Sequence, residues 1–421
     1  MPANGRDSPI WHPFTQHGLH PVMNPVASAN GAWLQLADGR RILDAISSWW
    51  VTTHGHSHPR IVAAIRAQVE TLDQVIFAGF THKPAESVAR RLIEIAPKGL
   101  SRVFFSDSGS TSVEVALKMA LGYFHNTGQR RQRIAALEHS YHGDTVGTMS
   151  AGARGVFNAP YEPLLFEAAR IPFPEAGQEQ TTLDAFERFC KAGDMAALIV
   201  EPLISGAGGM RIYKPSVLTE LKRICEAYGA LFIADEVMTG WGRTGSLFAC
   251  EQAYVTPDVM CLAKGLTGGA LPLAVTLCQE EIYAAHLSKG RARMFFHSSS
   301  YTANPVACAA AAANLDIWRT EPVLERIRTL SSRQSVQLER LRHDGRYENI
   351  RQIGTIAAFD VPVQDAGYLA DIGPQLYGFF LDCGILLRPL GNTVYVMPPY
   401  CINEAELSSV YKSVLKFDFS C

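Results

Sequence analysis

Short apolar runs alternate with helical patterns through the middle of the chain. The runs VFF (103–105), ALIV (197–200) and LFIA (231–234) each end at a polar or acidic residue, and helical patterns extend to residue 123 and over 218–228. Apolar strands separated by helices are typical of a largely parallel sheet covered by helices. The sequence therefore predicts an α/β fold, in which ligands bind at the carboxyl ends of the strands.

The two ends of the chain differ from this middle part. Beyond about residue 318, a charged helical stretch (323–342) precedes strand patterns in TIAAFDV and TVYVMPP, which indicates a smaller α+β domain. Near the start, GAWLQLADGRRILDA predicts a hairpin with its turn at 37–40. We predict an N-terminal segment (1–55) that contributes to the small domain and the active site, a large domain (56–317) and a C-terminal small domain (318–421).

Composition argues against several function classes. The chain has 421 residues, 47% of them hydrophobic, and a formal net charge of −2, so it has enough apolar material for two domains. The chain lacks the excess of basic residues that is typical of nucleic-acid-binding proteins. Its apolar stretch 306–313 is too short to span a bilayer. We expect that stretch to form a buried helix, and we predict no nucleic-acid or membrane partner.

The N-terminus and the cysteines predict a cytoplasmic protein. The first residues are polar and rich in proline, without the apolar core of an export signal. The cysteines are odd in number, contain no C-x-x-C pair and are expected to be reduced thiols. They are Cys190, Cys225, Cys250, Cys261, Cys278, Cys308, Cys383, Cys401 and Cys421.

Asp235 and Lys264 end two neighbouring apolar runs, in LFIADEV and VMCLAKGLTGG. A buried carboxylate requires a cation or hydrogen-bond donors, and a buried lysine tends to lose its charge. Pyridoxal phosphate suits both groups, because an acid keeps its ring nitrogen protonated and a neutral lysine amine condenses with its aldehyde. Taken singly, Asp235 also fits a turn cap and Lys264 a solvated surface position.

A turn of small residues strengthens the interpretation of Asp235 and Lys264 as parts of a cofactor site. Residues 106–110, SDSGS, follow the apolar run 103–105 and precede a helical pattern over 113–120. The first turn of a helix presents free N–H groups and the positive end of the helix dipole to an anion. Such a turn is also an ordinary helix cap, but together with Asp235 and Lys264 it predicts a pyridoxal phosphate site in the large domain.

Eight segments in order along the chain carry a family resemblance. They are DGRRILDA, HGHSHP, SDSGSTSVEVALKMA, SYHGDTVGTMS, EPLISGAGGM, LFIADEVMTGWGRTG, LAKGLTGG and SYTANPVACAAA. With these segments the chain resembles the class III aminotransferases of fold type I over nearly its whole length. The resemblance implies a transaminase with pyridoxal phosphate as cofactor, a mostly parallel large domain, a smaller α+β domain, and a homodimer with shared active sites.

Further segments resemble one branch of this family. They are WHPFTQ (11–16), SSWW (47–50) leading to HG (54–55), and LRPL (387–390) with MPPY (397–400). The branch serves biotin biosynthesis: its members convert 8-amino-7-oxononanoate to 7,8-diaminononanoate with S-adenosyl-L-methionine as amino donor. The resemblance implies the same ping-pong reaction here.

The family resemblance also implies roles for the cofactor-site residues. Lys264 would bind the cofactor covalently and then act as a general base, and Asp235 would keep the ring nitrogen protonated. Tyr141 would lie against the ring and reach the substrate, and Val237 would pack on the other face. The implied phosphate ligands are Gly109 and Ser110 of the same chain, with Ser299 and Ser300 acting across the dimer interface.

The substrate implied by the resemblance is a long apolar chain ending in a carboxylate. Arg388 suits the carboxylate, since a guanidinium binds it through two parallel hydrogen bonds, but it also fits an ordinary surface arginine. Trp49 and Trp50 suit the apolar wall. We predict a strand here, which would allow at most one of the two into the pocket, and by resemblance we favour Trp49. The predicted substrate-binding residues are Phe14, Trp49, Trp50, Tyr141, Lys264, Ser298 and Arg388.

Departures from the branch pattern leave the amino donor open. Phe14 stands where the branch often has tyrosine, and lysine-dependent enzymes of the same pathway can carry phenylalanine there. Those enzymes tend to lack the paired tryptophans, so the two clues disagree, and we weight Trp49 and Trp50 more. Ser300 replaces a threonine of many class III members and preserves the hydroxyl, so we expect phosphate binding to survive.

The alternatives span two function classes. One is a lysine-dependent enzyme of the same pathway or another class III ω-aminotransferase, acting on other amines or on acetylornithine-like substrates. The other is a non-catalytic protein that binds pyridoxal phosphate for regulation. Retention of Lys264, Asp235 and a complete phosphate turn argues against the regulatory protein, because a non-catalytic homologue would be expected to have lost one of them.

Two motifs mimic other sites. Residues 240–245 fit G-x-G-x-x-G, but no helical pattern follows and a bulky Trp241 lies inside the turn, so a dinucleotide site is disfavoured. His54, His56 and His58 alternate as metal ligands on a strand do, but the surrounding glycine and proline indicate a loop, and no acidic or cysteine partner lies at fixed spacing. We predict no metal.

Overall fold

The computed structural model describes residues 8–19 and 21–418. Its strands, in chain order, are β1 (Val26–Asn30), β2 (Trp33–Leu36), β3 (Arg41–Asp44), β4 (Leu100–Ser106), β5 (Arg133–Leu137), β6 (Ala169–Ile171), β7 (Met195–Val200), β8 (Ile204–Ser205), β9 (Arg211–Ile212), β10 (Leu231–Asp235), β11 (Val259–Leu262), β12 (Ala274–Gln279), β13 (Glu348–Ile353), β14 (Ile356–Asp360), β15 (Ile385–Leu386) and β16 (Thr393–Val396).

The helices alternate with these strands. They are α1 (Ser47–Trp50), α2 (Pro59–Val69), α3 (Lys83–Ile95), α4 (Gly109–Asn126), α5 (Val146–Ala151), α6 (Glu179–Cys190), α7 (Pro215–Tyr228), α8 (Glu280–Ala284), α9 (Pro305–Thr320), α10 (Val323–Asp344), α11 (Ile372–Asp382) and α12 (Glu404–Lys416). Short 3-10 turns are His17–Leu19, Ala159–Leu164, Ala249–Ala253, Lys264–Thr267 and Arg291–Arg293.

A seven-stranded sheet in the order β4-β12-β11-β10-β7-β5-β6 forms the large domain. All its pairings are parallel except those of β12, which runs antiparallel to both β11 and β4. The predicted α/β fold with a mostly parallel sheet is therefore confirmed. Strands β6 and β12 were not among the predicted strands.

Helices cover both faces of this sheet. Every residue of β7 and β10 is buried, as their continuous apolar sequences require for strands enclosed on both sides. On one face the core includes Phe186 of α6 and Leu221 of α7, and on the other Val113 and Ala120 of α4. The carboxyl ends of the strands stay open at one edge of the sheet.

The N-terminal hairpin joins a strand from the other end of the chain. Strands β2 and β3 pair antiparallel, with Trp33 opposite Leu43, around a turn in which Gly39 has φ +92°, so the predicted hairpin is confirmed. Strand β15 adds to β3 in parallel, with Ile385 opposite Leu43 and Leu386 opposite Asp44. The resulting four-stranded sheet has the order β1-β2-β3-β15.

The C-terminal part contains the predicted small α+β unit. Strands β13, β14 and β16 form an antiparallel sheet, and α10 and α12 supply buried residues to the core beside it, among them Leu338 and Val410. Helix α10 covers the predicted charged stretch. The predicted domain limit between 317 and 318 lies within α9, and the limits stay a prediction.

The apolar stretch 306–313 and the cysteines were also the subject of predictions. The stretch 306–313 lies within α9, where most of its residues are buried, as predicted. No helix in the described part of the chain is both long and apolar enough to cross a membrane. Within the same part, all the cysteines have free thiols; Cys421 lies outside the described residues.

Candidate active site

A cavity of about 810 Å³ opens at the carboxyl ends of β4, β10 and β11. Its lining comes from the large sheet, from the N-terminal segment and from the chain after β15. It brings together ten of the predicted site residues: Phe14, Trp49, Trp50, Gly109, Ser110, Tyr141, Asp235, Val237, Lys264 and Arg388. Its walls are mostly apolar with a few converging polar groups, as in binding sites for small molecules.

Asp235 is the last residue of β10 and is only 4% exposed. Its Oδ2 atom lies 2.7 Å from Nδ1 of His142, and its Oδ1 accepts a hydrogen bond of 3.1 Å from the Val237 backbone N–H. These two contacts fix the carboxylate at the inner end of the cavity. A buried carboxylate that lines this cavity has the charge that a protonated ring nitrogen requires of its partner.

Lys264 begins the 3-10 turn that follows β11 and has φ +45°, a left-handed conformation that is uncommon outside glycine. Burial lowers the pKa of its amine, and the nearby carboxylates of Asp235 and Glu201 oppose that shift. The Nζ atom lies 5.4 Å from the ring centroid of Trp50. A lysine of lowered pKa has the neutral fraction that a nucleophile requires.

The backbone after Lys264 is held by Asn314. The Asn314 Nδ2 atom donates hydrogen bonds of 3.0 Å to the carbonyl oxygens of Gly265 and Leu266, and its Oδ1 lies 2.9 Å from Nε2 of His54. Because Oδ1 can only accept, the proton of His54 is on Nε2. Burial lowers the pKa of His54 to about 3, so the imidazole is neutral. Of the three alternating histidines, His54 therefore supports the turn after Lys264 by way of Asn314.

The predicted phosphate turn opens helix α4. Ser108 and Thr111 cap the helix reciprocally, through bonds of 3.1 and 2.9 Å, which leaves the first N–H groups, of Gly109 and Ser110, without partners inside the helix. A Cβ atom at Gly109 would lie 2.6 Å from Cγ1 of Val237, so only glycine fits. The turn therefore meets Val237 closely, at the place where the cofactor ring is predicted to lie.

These groups fit pyridoxal phosphate on chemical grounds. A helix N-terminus for a dianion, a buried acid for a ring nitrogen and a lysine of lowered pKa for an aldehyde all line one cavity. His142 also fits a ligand site. Its Nδ1 is bonded to Asp235, but its Nε2 is buried without a hydrogen-bond partner among the described residues.

Tyr141 follows β5 in the segment that also contains His142. Its backbone N–H donates a 3.0 Å hydrogen bond to Oε1 of Glu201, and its ring lies 6.1 Å from that of Phe157. Burial and the neighbouring Asp144 carboxylate raise the pKa of the phenol, so it stays protonated. Tyr141 therefore forms a side wall of the cavity.

Two residues in the cofactor half of the site were not predicted. Glu201 is 5% exposed, and its Oε2 accepts a 3.0 Å hydrogen bond from the Gly206 N–H. Burial raises its pKa to about 7. His142 is the partner of Asp235. The signal for Glu201 was present, since it is an acid directly after the apolar strand β7, much as Asp235 is the acid that ends β10.

Arg388 and Trp49 lie at the mouth of the cavity. The guanidinium carbon of Arg388 lies 5.4 Å from the Trp49 ring centroid, and its Nη2 donates a 2.9 Å hydrogen bond to the carbonyl oxygen of Phe14. The Phe14 ring is 5.5 Å from that of Trp49. No carboxylate of the described residues forms an ion pair with Arg388, so the guanidinium is available to an external carboxylate.

The predicted strand for the paired tryptophans is wrong. Ser47–Trp50 is a helical turn with non-helical angles at Ser48 and Trp49, because tertiary contacts override the local pattern. Both tryptophans line the cavity, so the expectation that only one would do so is also wrong. Trp49 is 44% exposed, whereas Trp50 is 6% exposed and donates a 2.9 Å hydrogen bond from Nε1 to the Tyr395 hydroxyl.

The predicted site residues Ser298, Ser299 and Ser300 do not line the cavity of the single chain. Ser299 Oγ donates a 2.7 Å hydrogen bond to Oδ2 of Asp107 in the same chain, next to the phosphate turn. Ser298 and Ser300 are exposed. Their roles, Ser298 toward substrate and Ser299 and Ser300 toward the phosphate, stay predictions.

The glycine-rich run 240–245 forms a buried turn. Trp241 is 1% exposed, and Arg243 donates hydrogen bonds to the carbonyl oxygens of Thr52 at 3.0 Å and Pro398 at 3.2 Å. The following residues are a bend and a 3-10 turn, Ala249–Ala253, instead of the helix that a dinucleotide site requires. Among the described residues, no cluster of His, Cys, Asp and Glu could hold a metal ion.

Known proteins resemble this chain over nearly its full length. The family model for aminotransferase class-III matches residues 14–416. An adenosylmethionine-8-amino-7-oxononanoate aminotransferase of Synechococcus elongatus is 48% identical over 96% of this chain and 97% of its own. One from Nitratidesulfovibrio vulgaris is 39% identical over 96% of this chain and 79% of its own.

Solved structures of aminotransferases also resemble this chain over nearly its full length. The crystal structure of an adenosylmethionine-8-amino-7-oxononanoate aminotransferase from Methanocaldococcus jannaschii has a TM-score of 0.92 and 32% identity, covering 98% of both chains. An amine transaminase of an uncultivated Pseudomonas species, in its PLP-bound form, has a TM-score of 0.91 and 30% identity over 97% of this chain and 98% of its own.

Proposed function

The chain belongs to the class-III aminotransferases, and we propose that it converts 8-amino-7-oxononanoate to 7,8-diaminononanoate in biotin biosynthesis, with S-adenosyl-L-methionine as amino donor. The observation that carries this proposal is the pairing, in one cavity, of Lys264 and Asp235 with an aromatic mouth that ends at Arg388. The relatives that match the chain over nearly its full length are named for this reaction.

Pyridoxal phosphate is the cofactor of this proposal. When bound, it supplies an aldehyde that takes up an amino group and a ring that accepts electrons from the adjacent carbon. Gly109 and Ser110 would bind its phosphate, Asp235 its ring nitrogen, and Tyr141 and Val237 its two ring faces. The helix terminus and the two contacts that orient Asp235 support this assignment.

Lys264 has two tasks in the proposed mechanism. Its Nζ would hold the cofactor through the aldehyde until an amino group of the donor takes its place. The freed Nζ would then act as the general base that takes up a proton from substrate and returns it, in both halves of the cycle. The lowered pKa of Lys264 supports both tasks, because each requires a neutral amine.

The mouth of the cavity suits the keto substrate. Its long apolar chain would lie along Trp49, Trp50 and Phe14, and its carboxylate would reach Arg388. A guanidinium over an indole ring, without a carboxylate partner among the described residues, supports this assignment, because a substrate carboxylate would not have to compete with an internal one.

Half-reaction spectra test the function. The holoenzyme is mixed separately with 7,8-diaminononanoate, S-adenosylmethionine, lysine and a simple ω-amine, and the visible absorbance of the bound cofactor is followed. We expect 7,8-diaminononanoate and S-adenosylmethionine to bleach it. Bleaching by lysine in place of S-adenosylmethionine would correct the donor, and bleaching by the ω-amine alone would move the chain to another branch. No bleaching by any amine would indicate a non-catalytic binding protein.

We further propose a homodimer with shared active sites in the cytoplasm. Exposed apolar side chains in the segments beside the cavity, among them Ile76, Phe80, Phe296 and Tyr301, support a partner surface, because such patches are costly in water. Sedimentation equilibrium tests this, with Phe296→Arg expected to weaken the dimer and Lys412→Glu, at an exposed position on α12, as the control. A monomeric wild-type enzyme with full activity would contradict it.

A further inference from the structure

The turn that carries the two tryptophans has a strained backbone. Ser47, Ser48 and Trp50 have φ values of +56°, +59° and +66°. Ser48 combines its positive φ with ψ −115°, a region almost restricted to glycine. Non-glycine residues keep such angles only where the surrounding structure imposes them, and they concentrate at functional sites.

Asp44 holds this turn from within. Its side chain is fully buried, and its Oδ1 accepts a 3.1 Å hydrogen bond from the Ile46 N–H. Its Oδ2 accepts one of 2.6 Å from the Ser48 N–H and lies 2.8 Å from Nε2 of His56. Both carboxylate oxygens are thus engaged, and His56 fixes the rotation of the side chain.

Two contacts hold the turn from the opposite side. Ser47 Oγ donates a 2.8 Å hydrogen bond to the carbonyl oxygen of Met397, and Trp50 Nε1 is bonded to the hydroxyl of Tyr395. Both partners belong to the C-terminal part of the chain. The turn is therefore fixed between a buried carboxylate and the β16 region, with no freedom to follow its local preference.

The position of the turn decides the dimensions of the substrate half of the cavity. Trp49 carries the contacts to Phe14 and Arg388, at 5.5 and 5.4 Å, and Trp50 lies 5.4 Å from the reactive Nζ of Lys264. A change of the turn would alter the space between the amine and the carboxylate anchor, and so the length of substrate that fits.

We infer that Asp44, oriented by His56, is a positioning residue for substrate selectivity, acting through the strained turn of Trp49 and Trp50. This inference rests on the proposed function, because it assigns the tryptophans to the apolar chain of 8-amino-7-oxononanoate. Asp44 itself lies outside the cavity lining and has no contact with the reacting atoms.

The test is Asp44→Asn, which preserves volume but places an amide N–H₂ opposite one of the two backbone donors, the N–H of Ile46 or that of Ser48. We expect KM for 8-amino-7-oxononanoate to rise about tenfold or more with kcat changed less than about threefold, since binding geometry is lost and the chemistry is not. The near-UV circular dichroism of the tryptophans is expected to change, and the visible cofactor absorbance to stay. His56→Gln, which retains an N–H donor, is expected to give a smaller effect.

The matched control is Asp38→Asn, an aspartate in the exposed turn of the same hairpin, bonded to Arg40. Wild-type KM and circular dichroism in Asp44→Asn would overturn the inference, as would a loss of thermal stability without any rise in KM. If Asp44→Asn does not fold, His56→Ala serves in its place, with the same KM and dichroism readouts. A wild-type enzyme that does not react with 8-amino-7-oxononanoate or its product would refute the proposed function, whereas unchanged dichroism in the variant refutes the positioning role separately.

Discussion

The two halves of the cavity are built in different ways. In the cofactor half, Asp235 is the last residue of β10 and Glu201 directly follows β7, and they are 4% and 5% exposed. In the substrate half, Phe14 and Trp49 are each 44% exposed and belong to turns that meet Arg388 from the far end of the chain. The groups proposed for the chemistry are therefore placed by the sheet, whereas those proposed for substrate selectivity depend on contacts between distant segments of the chain.

The largest expected effect is on the cofactor half, from Lys264→Ala. We expect turnover to fall by at least about 10³-fold, because one side chain supplies both covalent attachment and proton transfer. The visible absorbance is expected to vanish while cofactor stays bound through the phosphate turn, as measured after dialysis. The control is Lys412→Ala, an exposed lysine on α12. Unchanged absorbance and turnover would reverse the assignment of Lys264.

A second test of this half is the pH dependence of stability in Glu201→Gln. Burial raises the pKa of Glu201 from 4.5 to about 7, so the folded chain binds a proton between these pH values that the unfolded chain does not. The wild-type free energy of unfolding therefore falls as pH rises through this window, by up to about 3 kcal/mol, and the variant lacks this fall. Denaturant unfolding of the apoprotein at pH 5 to 8 measures it; parallel curves for the two proteins would contradict the shift.

For the substrate half, Arg388→Ala tests the carboxylate anchor. We expect KM for 8-amino-7-oxononanoate to rise roughly 10- to 100-fold, as expected for loss of charge-assisted hydrogen bonds, with the half-reaction of a carboxylate-free amine unchanged. Arg388→Lys is expected to recover part of the loss, since it retains the charge but not the paired geometry. The control is Arg66→Ala on α2, at an exposed position. Equal losses of activity with 8-amino-7-oxononanoate and with the carboxylate-free amine would indicate a structural role for Arg388 instead.

The smallest expected effect is that of Phe14→Tyr. The new hydroxyl lies at the mouth, where one added hydrogen bond is worth about 1 kcal/mol at most, so we expect KM for S-adenosylmethionine to fall a few-fold. Steady-state kinetics with each donor measures this. A lower KM for lysine alone would show that tyrosine at position 14 favours lysine as the donor, against this expectation.

The same contrast separates what sequence could predict from what it could not. Asp235 ends an apolar strand, and Lys264 and the phosphate turn come soon after one, so local patterns indicate their positions at one edge of the sheet. The turn of Trp49 and Trp50 was wrongly predicted as a strand, because its conformation depends on Asp44 and on the β16 region. No local pattern contains such contacts.

Other gaps have equally physical causes. Glu201 was missed because an acid after a strand has no distinctive partner in the sequence, although its backbone contacts to Tyr141 and Gly206 are specific in three dimensions. His54 was correctly assigned to a loop, but its bond to Asn314 joins residues far apart in the chain. Ser299 and Ser300 are predicted to act on the site of a second subunit, and no contact within one chain can test that role.

The pairing of β3 with β15 has a consequence for the order in which the site is completed. The cofactor-site residues that line the cavity of the single chain lie between Gly109 and Lys264, whereas the edge strand β3, directly before the tryptophan turn, gains its neighbour only when Ile385 and Leu386 have been synthesised. Domains generally fold as they leave the ribosome, N-terminal parts first. On the nascent chain, Lys264 is thus synthesised more than a hundred residues before the strand that completes the sheet beside the tryptophan turn.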